Sequence, residues 1–174
     1  MVRVIAGLYK NQSIMSDKKA TLRPTQDRVK AALFSILGDI SGLKVADLFA
    51  GTGNLGIEAL SRGAEHCTFV DNNWQSLALI EQNLSRLKLG QKAEIIQADV
   101  LKYLAGKPVF DLILADPPYE YPNYDELLML FSQLQPATRI VLETDCRFGL
   151  PATFKPREIK TRKSGDTNLN FIRI

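Results

Sequence analysis

The chain has 174 residues, 45% of them apolar and 24% charged, the balance of a soluble globular protein with one full core and at most a small appendage. No run approaches a membrane span, the N-terminus has no apolar signal core, and Cys67 and Cys146 are too few and too far apart for a disulfide framework or a zinc site; a cytoplasmic, monomeric protein without a metal is expected. The net charge of +3 hides a split, because residues 1–44 hold eight Lys or Arg against three acids, residues 151–174 six against two, and the middle eight against fourteen. Basic ends around an acidic centre point to a polyanionic partner, such as a nucleic acid, meeting the ends.

In chain order, residues 2–6 read as a short strand and 7–24 as an irregular arm carrying Lys10, Lys18, Lys19 and Arg23. A helix follows, with Thr25 as its expected N-cap, Asp27 at the positive end of the dipole and Gly38 as its stop. Val29, Leu33, Ile36 and Leu37 form its inward face, which leaves Arg28 and Lys30 outside. From residue 44 strands near 44–49, 67–71, 93–97, 110–115 and 139–143 alternate with helices near 54–62, 74–88, 100–105 and 125–134. Strand–helix alternation with short joins predicts a doubly wound α/β sheet. The end differs, since 157–163 and 169–174 are strand-like segments joined across Ser164-Gly165-Asp166, a hairpin turn. The domain division expected is 1–43 as a basic arm and helix and 44–174 as the catalytic domain.

The stretch from Val45 to Leu60 is a strand, a glycine turn and a helix. Gly51, Gly53 and Gly56 keep side chains away from whatever crosses the turn, and Asn54 can cap the helix. The spacing also fits G-x-G-x-x-G, so a dinucleotide must be weighed. Asp47 opposes that: its carboxylate would repel a pyrophosphate on the helix N-terminus, whereas it suits the amine and sulfonium of S-adenosylmethionine. Asp71 and Asp99 stand where the next two strands stop, one able to accept from ribose hydroxyls and the other from the amine of an adenine ring.

The fourth strand of this series ends in Asp116-Pro117-Pro118-Tyr119, the most specific signal in the chain. Two prolines remove two donors, so nearby carbonyls are free to accept, Asp116 adds a charged acceptor, and Tyr119 adds a flat face. That set suits a planar base with an exocyclic amine. Holding both hydrogens of the amine frees its lone pair to attack a methyl group in line with a sulfonium, so positioning is the main catalytic device.

Phe49-Ala-Gly-Thr-Gly-Asn-Leu-Gly56, the acidic strand ends and Asp116–Tyr119 resemble the class I S-adenosylmethionine-dependent amino-methyltransferases. Arg3-Val-Ile-Ala-Gly7, Leu22-Arg-Pro-Thr-Gln-Asp-Arg28 and Leu60-Ser-Arg-Gly-Ala64 narrow the resemblance to the bacterial RsmD family, which methylates the N2 amine of one guanine in small-subunit (16S) ribosomal RNA. The resemblance runs over nearly the whole chain. It implies a Rossmann-like, seven-stranded, mostly parallel sheet with the last strand antiparallel and inserted between two neighbours. It also implies cofactor contacts at Asp47, Phe49, Gly51, Thr52, Gly53, Asp71, Asn72, Asp99 and Val100. Catalysis would fall to Asp116, Pro117, Pro118 and Tyr119, and RNA contact to Arg23, Thr25, Arg28, Lys10, Lys18 and Lys19. The partner implied is ribosomal RNA or a partly assembled small subunit. The alternatives are an adenine-N6 methyltransferase acting on DNA, a nicotinamide-dependent oxidoreductase and a non-catalytic RNA-binding module.

Overall fold

The structure, a computed structural model, describes residues 2–16, 24–118 and 120–174, with backbone alone at 24–26. A small antiparallel ribbon, β1 (Val2–Arg3) and β2 (Ser13–Ile14), precedes α1 (Pro24–Leu37). The main body then runs β3 (Lys44–Leu48), α2 (Asn54–Ser61), β4 (His66–Asp71), α3 (Trp74–Arg86), β5 (Ala93–Gln97), α4 (Val100–Ala105), β6 (Leu112–Ala115), α5 (Tyr124–Ser132) and β7 (Arg139–Asp145). The hairpin β8 (Glu158–Ser164) and β9 (Thr167–Arg173) closes it, turning over Gly165, whose φ of 64° is cheap only for glycine.

The seven-stranded sheet has the order β5-β4-β3-β6-β7-β9-β8. Strands β3 to β7 are parallel, and β9 lies antiparallel between β7 and β8. The doubly wound sheet with an inserted antiparallel last strand is the architecture expected. The chain starts in the middle at β3, winds out to β5 and returns at β6, so the crevice between β3 and β6 opens at the carboxyl ends of the strands. Both faces are covered. Val45, Cys67, Phe69, Leu112, Leu114 and Val141 meet residues of α1, α2 and α3, while Ala46, Leu48, Val70, Ile113, Ala115 and Leu142 meet α4 and α5. Strands buried on both sides explain why β6 reads as a continuous apolar run.

The N-terminal region departs from the sequence reading in four ways. The helix begins at Pro24, where a missing N–H costs nothing, so Thr25 lies in the first turn and is not the N-cap. Gly38 does stop the helix, with φ 71° and its N–H on the Phe34 carbonyl at 3.2 Å. The inward face is Val29, Lys30, Leu33 and Phe34; Ile36 is 46% exposed, and Lys30, expected outside, is 1% exposed. The reason is Glu58 on α2, itself fully buried, whose Oε2 lies 3.2 Å from the Lys30 ammonium and whose Oε1 accepts from Arg62 at 2.8 Å. Glu58 also accepts the N–H groups of Ile5 and Ala6, so residues 2–16 are a docked ribbon rather than an irregular arm. Ser61, Asn83 and Arg86 tie down the rest of it at Tyr9, Met15 and Ser13. Finally, Asn54 does not cap α2: its Oδ1 accepts from Lys30 at 2.6 Å, and the N-cap position belongs to Gly53 without a side-chain bond.

Candidate active site

The turn after β3 is left-handed three times, at Phe49 (φ 58°), Gly51 (φ 53°) and Gly53 (φ 76°). Gly56 serves packing: a Cβ there would stand 2.3 Å from the Phe69 ring and 2.7 Å from the Cys67 sulfur, so only glycine lets α2 lie this close to β4. Asp47, 2% exposed, accepts the Gly56 N–H on Oδ2 at 2.8 Å and so holds the turn to the strand. Burial raises its carboxyl well above the ordinary value, the charges of Asp116 and Asp71 add to this, and the Gly56 bond opposes it.

Asp71 reaches back to the turn. Its Oδ2 accepts from the Gly51 N–H and its Oδ1 from the Asn73 N–H, both at 2.8 Å. Asp99 caps α4 through Oδ1 on the Lys102 N–H at 3.1 Å, and its side chain is exposed to the crevice. These carboxylates thus have local structural bonds as well as a place beside the crevice, since both line one cavity with Phe49, Thr52, Asn72 and Val100. Gly53 stays behind the lining; a Cβ on it would point at Ile80 and Phe69.

The same cavity, about 800 Å³, continues to Asp116, Pro117 and Pro118 at the end of β6. Tyr119 lies outside the described residues. Of the carbonyls expected to be free, that of Pro118 is occupied, accepting the Tyr121 N–H at 2.9 Å. Asp116 reaches solvent through the cavity mouth but has protein around it elsewhere, and this burial raises its carboxyl from 3.8 to about 6. Three residues the sequence reading did not single out complete this end. Tyr121 lines the cavity and meets Phe49 edge-on at 5.1 Å and Tyr124 at 5.6 Å. Tyr124 has the one buried side-chain polar atom without a hydrogen-bond partner among the described residues, and burial followed by the charge of Asp116 raises its phenol to about 12. Glu143 of β7 also lines the cavity; burial, then the charge of Asp116, raise its carboxyl from 4.5 to about 8, against a hydrogen bond from Thr167.

Alternation puts all these acids on one side. Asp47, Asp71 and Glu143 share strand parity with Val45, Phe69 and Val141, and Asp116 continues the parity of Leu114, so all belong to the α1–α3 face. Lys30 is the one Lys or Arg lining the cavity among the described residues, and Glu58 already pairs with it. A pyrophosphate would find carboxylates and no free cation. A nucleoside joined to a cationic sulfonium and amine finds the bare backbone of Gly51, the carboxylates of Asp71 and Asp99 and an acidic wall; the residues present fit S-adenosylmethionine.

Of the residues assigned to RNA, Arg28 and Lys10 are exposed, and Arg23, Lys18, Lys19 and the Thr25 side chain lie outside the described part. Val29 and Lys30 of α1 line the cavity, so this helix does border the site. The far end of α1, Ile36 and Leu37, shares a groove with Lys160, Phe171 and Arg173, which brings the two basic ends of the chain side by side.

Comparison with known proteins shows the family and the fold. The family model described as Conserved hypothetical protein 95 matches residues 2–173. Ribosomal RNA small subunit methyltransferase D of Haemophilus influenzae is 36% identical over 152 residues, covering 83% of this chain and 79% of that protein. The enzyme of the same name from Escherichia coli K12 is 31% identical over 155 residues, covering 86% and 78%. A solved structure of a hypothetical protein from Thermus thermophilus superimposes with a TM-score of 0.83, covering 100% of both chains at 24% identity, a likeness of fold.

Proposed function

The chain belongs to the Conserved hypothetical protein 95 (RsmD) family, together with the small-subunit ribosomal RNA methyltransferases D, and from that premise we propose that it transfers a methyl group from S-adenosylmethionine to the N2 amine of a guanine in small-subunit ribosomal RNA. The observation that carries the reading is the continuity of one cavity from the glycine turn, Asp71 and Asp99 to Asp116 and Pro117.

When bound, S-adenosylmethionine supplies an electrophilic methyl group. The turn at Gly51 accepts the ligand because it has no side chain to displace, and Asp71 holds that turn while offering its carboxylate to the ribose. Asp99 and Val100 frame the adenine. Asp116 and the neighbouring Pro117 carbonyl take the two hydrogens of the acceptor amine, which turns its lone pair toward the methyl. As the amine becomes cationic, the Asp116 carboxylate opposes that charge at short range and then takes the proton released. A carboxyl raised to about 6 is ionised at neutral pH and still basic enough for that transfer. Tyr121, on the cavity wall, offers the flat surface assigned to Tyr119, against which an extruded base can stack.

Residues 1–43 serve in this reading as the RNA-binding extension of a catalytic domain at 44–174, with Arg28 and Lys10, and with Arg23, Lys18 and Lys19, on the phosphate backbone. The test is tritiated methyl transfer to small-subunit RNA and to small subunits lacking the modification, with the methylated base mapped. Methylation at guanine N2 is the expected result. Methyl transfer to adenine N6 of DNA, or none to either RNA substrate, would overturn it.

A further inference from the structure

Among the cavity acids carried on the sheet strands, Glu143 is the one that neither the cofactor contacts nor the amine-holding pair accounts for. The last registered pair of β6 and β7 is Ala115 with Leu142, so Glu143 stands beside Asp116 at the next position, on the same face of the sheet. It opens on the same cavity. On its other side β9 places Leu169 opposite it, and the Thr167 hydroxyl donates to its carboxyl. Among the described residues no Lys or Arg forms an ion pair with it, and Tyr124 of α5 and Asp166 of the β8–β9 turn, its other polar neighbours at this end, bring no cation. A carboxyl so placed has a ligand as its natural partner.

Resting on the reading of this cavity as a guanine-N2 site, we propose that Glu143 reads the lactam edge of the acceptor base, pairing with ring N1–H and O6 while Asp116 holds the amine. The order of groups on the base makes the match. Next to the guanine amine comes N1–H, a donor, and beyond it O6, an acceptor. Adenine and 2-aminopurine instead present a bare ring nitrogen next to the amine and a C–H beyond it. A neutral carboxyl meets the guanine edge with two bonds, its carbonyl oxygen accepting from N1–H and its hydroxyl donating to O6, and meets the other two with one. Burial and the charge of Asp116 both raise Glu143, so of the two neighbouring carboxyls it is the one favoured to hold a proton while Asp116 carries the charge. Each acid is then in the form its part of the base requires.

The test uses the full chain saturated with S-adenosylhomocysteine and small-subunit RNA carrying either guanosine or 2-aminopurine riboside at the methylated position. The readout is the ratio of the two RNA affinities, with S-adenosylhomocysteine affinity measured alongside as a check on folding. Wild type favours guanosine by about tenfold or more. Glu143→Gln keeps that preference, because its amide presents a carbonyl and an N–H in the same order. Glu143→Ala brings the ratio near one at unchanged S-adenosylhomocysteine affinity, and Glu143→Met, which keeps the volume, supplies the same measurement if the alanine variant does not fold. A wild-type ratio in Glu143→Ala or Glu143→Met, or a Glu143→Gln ratio as low as theirs, overturns the inference. A wild-type enzyme that methylates another base fails earlier, at the mapping step, and overturns the guanine reading itself.

Discussion

The two ends of the cavity treat their acids in opposite ways. At the cofactor end Asp47, Asp71 and Asp99 each accept at least one backbone N–H, from Gly56, from Gly51 and Asn73, and from Lys102. These carboxylates hold a turn and a helix start in shape whether or not a ligand is bound. At the acceptor end Asp116 and Glu143 sit side by side with raised carboxyls, and the buried Tyr124 hydroxyl has no hydrogen-bond partner among the described residues. The first end is organised by its own backbone, and the second, among the described residues, has few hydrogen bonds of its own, as the proposed base with several donors requires. That difference follows from the ligands: a cofactor needs a fixed cradle, while an acceptor amine needs groups whose bonding improves as it becomes cationic.

Asp116 separates the two ends most sharply. Asp116→Ala should lower turnover by on the order of 10²–10³ while leaving S-adenosylmethionine affinity by calorimetry nearly unchanged, because among the described residues no hydrogen bond joins its side chain to Asp47, Asp71 or Asp99. Asp116→Asn, whose carbonyl still accepts, should retain part of the rate. Loss of cofactor binding in Asp116→Ala would mean that the two ends are one unit. The converse substitution is Asp71→Ala, which removes both the proposed ribose contact and the bond that fixes Gly51. Losing a charge-assisted bond costs roughly 1.5–3 kcal/mol, or about ten- to a hundredfold in cofactor affinity. Guanosine preference in RNA binding should be untouched, and an equal loss in both would erase the distinction.

How much of this was legible depends on how locally each feature is encoded. The glycine turn, Asp71, Asp99 and Asp116 are short-range signals at strand ends, and the alternating strands and helices that place them read directly from apolar patterning. Glu143 has no such signature: it is one acid at the end of an apolar strand, and its meaning comes from Asp116, which lies 27 positions earlier in the chain. Lys30 misled for a related reason. Helical spacing puts it beside the inward face, and only a buried Glu58 on α2 makes its burial tolerable. Asn54 looked like a cap because Asn after a glycine turn usually is one, yet Lys30 claims its oxygen. Each of these three is a polar contact across elements, which periodicity does not encode.

A gentler probe is pH. The folded carboxyl of Glu143 is raised from 4.5 to about 8, so the native state binds that proton more tightly than the unfolded chain. Its contribution to stability is whole below pH 4.5 and is lost as pH rises through about 8. Asp116 has the same sign in a lower window, from 3.8 to about 6. Asp145, held down to about 2 by Arg147, contributes above 3.8 and loses its contribution as pH falls through about 2, so it does not interfere near neutrality. The Tm of the wild type should therefore fall as pH rises from about 4.5 to about 8, and Glu143→Gln should flatten the part of that fall above about pH 6. An equally steep profile in the variant would move the titrating group out of the acceptor end.

The smallest expected effect tests whether the acidic cavity relies on the basic ends for its RNA. Arg28 is exposed on α1, close to the cavity-lining Val29 and Lys30. The structural explanation for such a residue would be an ion pair with Asp27 or a core acid. Asp27, however, lies 3.5 Å from Arg3, and among the described residues Arg28 has no ion-pair partner. Its charge is therefore free for a phosphate. Each phosphate contact contributes about −0.7 to the slope of log K against log salt for single-stranded RNA, so Arg28→Ala should make the slope shallower by roughly that amount. Tm, S-adenosylhomocysteine affinity and the guanosine preference should stay where they are. A lower Tm with the original slope would instead make Arg28 a structural residue and send the phosphate contacts to Lys10 or to the β8–β9 edge. There Arg162 and Lys163 are exposed on the last strand of the sheet, and the same measurement on their alanine variants would then carry the missing slope.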